Sequence, residues 1–366
     1  MAVNYTVEYL ECYESGIFAP DTIPPPTGLV LTAAVHIYLV VVLGTLCNSV
    51  AIWCVVTCKK TRMAVKVLLC SVFVPVLLIC LVTRSMRSEM ILALFYCDRE
   101  RITVIYRVVT MVSYSFLAQM ELACITALAI IRTVAVWSSK RHAIKLRVAV
   151  IVVISILIYS FITGVGILGP VFLDYIDSKP LKNSLIIIYF FTNVMLPFLV
   201  TAIAYAMMLF AMRRNRQRLA AIESRTTTGG TLDQATRAMI AVFISNLVFG
   251  LPHAVYHIRT TFSFTLELSF HMLFYTHFVV DPVVFIWFNN NHRQQVREKA
   301  HAIWNFVLGC NSLACCKSSF PRDSLRKISS TISLWKSSVS VSPDSSSSGE
   351  AGTIQVAGRV LTHSQV

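Results

Sequence analysis

Long apolar runs free of charge alternate with short polar connections along this chain. Between Asp21 and Lys59 there is no Asp, Glu, Lys or Arg. Val67 to Thr83, Val148 to Leu173, Asn183 to Met212 and Ala238 to Ile258 are equally clean. Val108 to Ile131 holds one acid, Glu121, and Leu268 to His292 holds one, Asp281. A helix needs roughly 20 apolar residues to cross about 30 Å of hydrocarbon. Seven stretches reach or approach that length, and soluble core helices rarely run so far without charge. The pattern predicts an all-α membrane protein, a seven-transmembrane helix bundle.

The connections predict its orientation. The first carries Lys59, Lys60, Arg62 and Lys66, and the third Lys140, Arg141, Lys145 and Arg147. The fifth carries Arg213, Arg214, Arg216, Arg218, Arg225 and Arg237. Residues 1–28 have no Lys or Arg but contain Glu8, Glu11, Glu14 and Asp21. Basic loops stay in the cytoplasm, so the expectation is an extracellular N-terminal segment (1–28), a bundle (29–308) and a cytoplasmic tail (309–366), in the plasma membrane. The second connection, with Arg84, Arg87, Arg99 and Arg101, runs against the rule. The acidic N-terminus and the long first span argue against a cleavable signal peptide.

Composition narrows the classes. The chain is 56% hydrophobic and 14% charged, against about 45–50% and about 25% in soluble domains, so a string of soluble domains is excluded. The net charge of +14 sits mostly at membrane ends and not on one folded face, so no nucleic-acid partner is expected. Asn4-Tyr5-Thr6 is a glycosylation sequon; on an outside terminus Asn4 is a glycan acceptor, unless the match is chance. Cys12 and Cys97 are expected to face the oxidising side, which makes them a candidate disulfide. Cys310, Cys315 and Cys316 follow the last basic segment and are palmitoylation candidates. From Lys317 onward the chain is polar and Ser-rich, and disorder is expected; its basic residues suit anionic membrane lipid.

Three motifs fall at matching places on three spans. Leu128 to Val136, with Arg132 at its centre, resembles the Asp-Arg-Tyr segment of rhodopsin-like (class A) G-protein-coupled receptors. Pro197 precedes Tyr205 by eight residues, and Asp281-Pro282-Val283-Val284-Phe285 resembles Asn-Pro-x-x-Tyr of that family. Asn48 and Pro252 stand at its usual places, and Arg293 falls where the family begins a short amphipathic helix along the inner membrane face. The resemblance covers roughly Leu29 to Leu308. It implies a receptor that couples to a heterotrimeric G protein through Arg132, Tyr205, Asp281, Pro282 and Phe285. It also implies arrestin binding through a phosphorylated tail. Pro197, Pro252 and Pro282 interrupt helices and free carbonyls, as hinges of a rocking bundle or as static kinks.

The departures are chemical. Ile131 stands in place of the acid beside Arg132, and Thr133 in place of the Tyr. Gly250 occupies the place of the family's toggle Trp, and Asn246 that of a common Phe. Leu68 to Val74 contains no Asp, the residue that holds a sodium ion in the family. Arg107 stands where the family has its disulfide cysteine. Glu121 lies eleven residues, about three helical turns, before Arg132 and on nearly the same face. With Asp281 and Asn48 it forms a candidate internal site for sodium or a proton; the alternative is a protonated Glu bonded to a backbone carbonyl.

Tyr114 stands where aminergic members carry an Asp, so an amine ligand is not expected. Arg84, Arg87, Arg107, His253, His257, Arg259 and His271 lie toward the outer ends, with Tyr189, Asn193, Tyr256 and Tyr275 adding polar and aromatic groups. This balance suits an extracellular anionic, lipid-like or peptide ligand, unless several of these side chains are interfacial anchors. No nucleophile–base pair, metal cluster or phosphate loop stands out, so no enzyme is expected. The rivals are a decoy or chaperone-like receptor that does not signal, and an ion-coupled transporter using Glu121 and Asp281. The terminal Ser364-Gln365-Val366 resembles ligands of PDZ scaffold domains, which add such a strand and capture its carboxylate.

Overall fold

The computed structural model describes residues 26–59, 61–96, 98, 100–137, 144–173, 175, 178–222, 230–258 and 263–311. Asn4, Cys12, Cys97, Arg259, Cys315, Cys316 and the terminal Val366 lie outside the described residues, and so do the side chains of His257 and Cys310. Two units are distinguished, Met1–Ala302 and Ile303–Val366. The first holds the bundle. In the second, the described residues are helical as far as Asn311.

Among the described residues, seven helices are long and apolar enough to cross a membrane: α1 (Thr27–Thr57), α2 (Met63–Ala93), α3 (Val104–Trp137), α4 (Leu146–Phe172), α5 (Pro180–Arg214), α6 (Arg237–Tyr256) and α7 (Thr265–Trp287). An eighth, α8 (Asn290–Asn311), follows α7. The described residues contain no strand. In hydrocarbon every backbone amide needs an internal partner, which a helix supplies from within itself. Side-chain hydroxyls follow the same rule. Thr57, Thr83, Thr110 and Thr126 each bond the carbonyl four residues back, at 2.7–3.0 Å.

One expectation fails in a useful way. The charge-free run after Val67 ends at Thr83, which placed Arg84 and Arg87 in a connection. The helix instead continues unbroken through both to Phe95, and Arg84 is 2% exposed. Two of the four basic residues that offended the loop-charge pattern are therefore helical.

Three helices contain a π turn: Val40–Gly44 in α1, Ile79–Thr83 in α2 and Phe191–Met195 in α5. A π turn inserts one extra residue and re-aims the side chains around it. Pro75, Pro252 and Pro282 lie inside α2, α6 and α7.

Small residues let the helices meet closely, the usual solution where lipid removes any hydrophobic drive between helices. A Cβ on Gly44 would stand 2.6 Å from Cys80 Sγ, and one on Gly164 3.2 Å from the Phe116 backbone. Glycine at both positions lets the α1–α2 and α3–α4 crossings approach closely. One core cluster gathers Phe73, Leu128, Tyr205, Met208, Met239, Val242 and Phe285. A second gathers Ala33, Ile37, Ile79, Cys80, Tyr275 and Phe278. By contrast α4 turns Ile151, Ile154, Ile158, Phe161 and Ile162 outward, as a lipid-facing helix does.

Candidate ligand and ion sites

Arg84 follows directly on the π turn of α2. Its guanidinium carbon lies 3.9 Å from the Tyr275 ring centroid, 4.3 Å from that of Tyr114 and 5.9 Å from that of Phe278. Ring faces attract a cation, but they accept few of its hydrogen bonds. Arg84 Nε and Nη1 are buried with no hydrogen-bond partner. Among the described residues the ion pair within 4 Å is Arg101–Glu89, at 2.6 Å, and it does not involve Arg84. Arg87, three residues on, has Glu267 as its neighbouring acid. Arg84 is thus a buried cation with two open donors.

Of the other expected pocket residues, Tyr114 and Tyr275 flank Arg84. His271 packs on Tyr275 with ring centroids 5.5 Å apart and edge-on against His253 at 4.6 Å; His253 stacks on Phe274 at 4.3 Å. Tyr189 and Asn193 are engaged elsewhere. The Gln119 amide donates to Asn193 Oδ1 and Thr163 Oγ1, each at 2.6 Å. Tyr189 donates to Gln119 Oε1 at 3.1 Å, and Tyr159 to Asn193 Oδ1 at 2.8 Å. This network ties α3, α4 and α5 together. Gln119, Tyr159 and Thr163 carried no signal in the sequence beyond being polar within an apolar run. Tyr256 lines a groove of about 570 Å³ between α6 and α7 with Leu251, Val255, Leu266 and Phe270, and its hydroxyl donates to Ser263 O at 3.1 Å. Arg107 is exposed on the first turn of α3 and does not join the others.

Deeper in the bundle, Glu121 on α3 meets His277 and Asp281 on α7. One potential ligand atom from each lies within 4.8 Å of the others, and all three residues are buried. His277 and Asp281 are four apart and share a helix face. The Asn246 amide donates to Asp281 Oδ2, while Asp281 Oδ1 is buried without a partner. Asn48, expected in the same site, donates to Gly44 O at 2.8 Å and Phe278 O at 2.9 Å. It ties α1 to α7 beside the acids, and it is not one of the three grouped ligands. His277 was missed; its signal was the His-x-x-x-Asp spacing inside a span.

At the other end of the bundle, Arg132 is half-buried and electrostatically coupled to Tyr205. Tyr205 is buried against Phe243, with ring centroids 5.3 Å apart. Thr133 bonds Ala129 O and Ala204 O, both at 2.8 Å, so the residue in place of the family's Tyr fastens α3 to α5. Phe285 lies 4.8 Å from Phe73 and 5.3 Å from His292, centroid to centroid. At Gly250 a Cβ would stand 3.2 Å from Phe198 Cζ; a ring from α5 covers the place left by the absent Trp.

Squid rhodopsin superposes on this arrangement with a TM-score of 0.67, over 83% of this chain and 92% of that one, at 14% identity. The chain has the rhodopsin fold. No protein-family model matches it, and no curated protein does. The rhodopsin-like fold and seven apolar helices make it a multi-pass membrane protein. Within that fold, among the described residues, Arg84 with its tyrosines and the Glu121–His277–Asp281 group are two places where charged side chains are buried together with unbonded polar atoms.

Proposed function

We propose that this protein is a cell-surface receptor whose ligand presents an anionic head to Arg84, and that it signals through a heterotrimeric G protein. Arg84 carries the reading: a cation at membrane depth is expensive unless it pairs, and Tyr114 and Tyr275 hold this one with two donors open. A carboxylate or phosphate would complete those hydrogen bonds with charge assistance. His253 and His271 extend the polar surface toward a larger head group, and the apolar surroundings suit a lipid-like body. The rhodopsin-like fold supports the signalling half of the proposal, with Arg132, Tyr205, Asp281, Pro282 and Phe285 as the coupling residues.

Purified protein in nanodiscs is tested against long-chain carboxylates and their neutral methyl esters. The carboxylates should raise the unfolding temperature of the parent and leave Arg84→Gln unchanged. Cell membranes containing the parent should then show ligand-dependent guanine-nucleotide exchange. Equal stabilisation by acid and ester would remove the anionic reading. Stabilisation without exchange would leave a binding protein of the decoy kind.

A further inference from the structure

We propose that Glu121, His277 and Asp281 form a divalent transition-metal site, with zinc as its occupant. The donor set is two carboxylate oxygens and one imidazole nitrogen. Nitrogen donors favour zinc and its first-row neighbours, whereas sodium takes oxygen ligands. His277 is prepared for this role. Its Nδ1 bonds the carbonyl of Phe274, and a carbonyl only accepts, so Nδ1 carries the proton and Nε2 keeps its lone pair. A backbone carbonyl fixing the far nitrogen is the usual support of a metal-bound histidine.

Distances agree. Ligand atoms on a tetrahedral zinc stand roughly 3.3–3.5 Å apart, given metal–ligand bonds of about 2.0–2.2 Å. The ligand atoms, within 4.8 Å of one another, need to draw in by up to about 1.5 Å to hold a zinc. Polar groups around it stand open as well. Asp281 Oδ1 is buried without a well-formed hydrogen bond, with the Ser245 hydroxyl as its neighbour. Charge points the same way: two carboxylates at membrane depth repel each other, and one divalent ion neutralises both. Three protein ligands leave a fourth position for water, as in zinc sites that remain reactive or exchangeable.

The test uses the full chain in nanodiscs, stripped with a chelator and reloaded during a long incubation. One zinc per chain is expected, with a raised unfolding temperature that sodium does not reproduce. His277→Gln should weaken zinc binding about 100-fold, and Glu121→Gln at least about tenfold. His277→Cys keeps a ligand and guards against simple misfolding: with cobalt as probe it should show a thiolate-to-cobalt band beyond the parent's spectrum. Equal zinc binding by parent and His277→Gln would overturn the proposal. So would the absence of that cobalt band in a folded His277→Cys protein. Stabilisation by sodium and not by zinc would assign the site to an alkali ion. No effect of either ion would leave two acids sharing a proton, and the proposal would fall.

Discussion

Arg84 and the Glu121–Asp281 pair are opposite charges buried in the same bundle, yet no ion pair within 4 Å joins them. They are near enough to sense one another's surroundings: the field of Arg84 reaches His277, and those of both Arg84 and Glu121 reach Cys80. A bundle selected only for stability would pair them, since an isolated buried charge is costly. Instead Arg84 is faced by aromatic rings and the acids by Asn246 and His277. The solutions differ because the charges differ. A cation can rest on π-faces and keep its donors open. A carboxylate needs donors or a cation, and Asp281 has one oxygen satisfied and one not. Each centre stays open to something from outside the chain.

The strongest way to break this comparison is Arg84→Leu. With no ligand present, removal of an unpaired buried cation should stabilise the protein by about 1–2 kcal/mol, because desolvation outweighs the two ring contacts. The unfolding temperature in detergent measures it. The same change should tighten zinc binding at the acids about tenfold, since a positive charge nearby has been removed. A lower unfolding temperature would mean that the rings alone satisfy Arg84, and an unchanged zinc affinity would mean that the centres are independent.

Gln119 supplies the contrast. Its amide is fully used by Asn193, Thr163 and Tyr189, so Gln119→Leu should act with the opposite sign. It leaves the buried Tyr189 hydroxyl without its partner and removes one bond each from Asn193 and Thr163. The expected loss is about 1.5 kcal/mol, near the upper end for interhelical hydrogen bonds in membranes. A neutral result would place the polar grip in the Tyr159–Asn193 bond between α4 and α5, without α3.

The seven spans were legible because hydrocarbon imposes length and the absence of charge. The same criterion misjudged the end of α2, where Arg84 stopped the apolar run but not the helix. Ring faces from α3 and α7 shelter that charge, and no pattern along α2 announces them. Tyr114, Glu121 and Asp281 could be found by spacing from Arg132 and Pro282, and Tyr275 as an aromatic group near the outer end. For His277 the spacing to Asp281 was there to read, but its meaning depends on the register of α3 against α7. The π turn over Ile79–Thr83 is equally silent: Ile, Cys, Leu, Val and Thr are ordinary membrane residues. Tyr189 and Asn193 were noticed as polar, but their partners on α3 and α4 were not, and those partners turn them from open pocket groups into an internal tie.

The smallest effect is expected at His292, a third buried ionisable group, which lies beyond the spans where water and pH reach it. It stands in the first turn of α8, its ring packed on Phe285, with Nδ1 3.5 Å from Gln295 Oε1. Burial holds its imidazole below the ordinary value near 6.5. The folded protein therefore binds fewer protons here than the unfolded chain, and stability rises with pH. The contribution is complete above about pH 6.5 and is lost progressively as pH falls below it. At pH 5.5 the loss should be below about 1 kcal/mol. Hydrogen exchange of the first turns of α8, corrected for the intrinsic rate, should show less protection at pH 5.5 than at pH 7.5. His292→Phe keeps the contact with Phe285 and removes the titration, so its protection should not change between the two. An identical pH response in that variant would move the sensitivity away from His292 to another group.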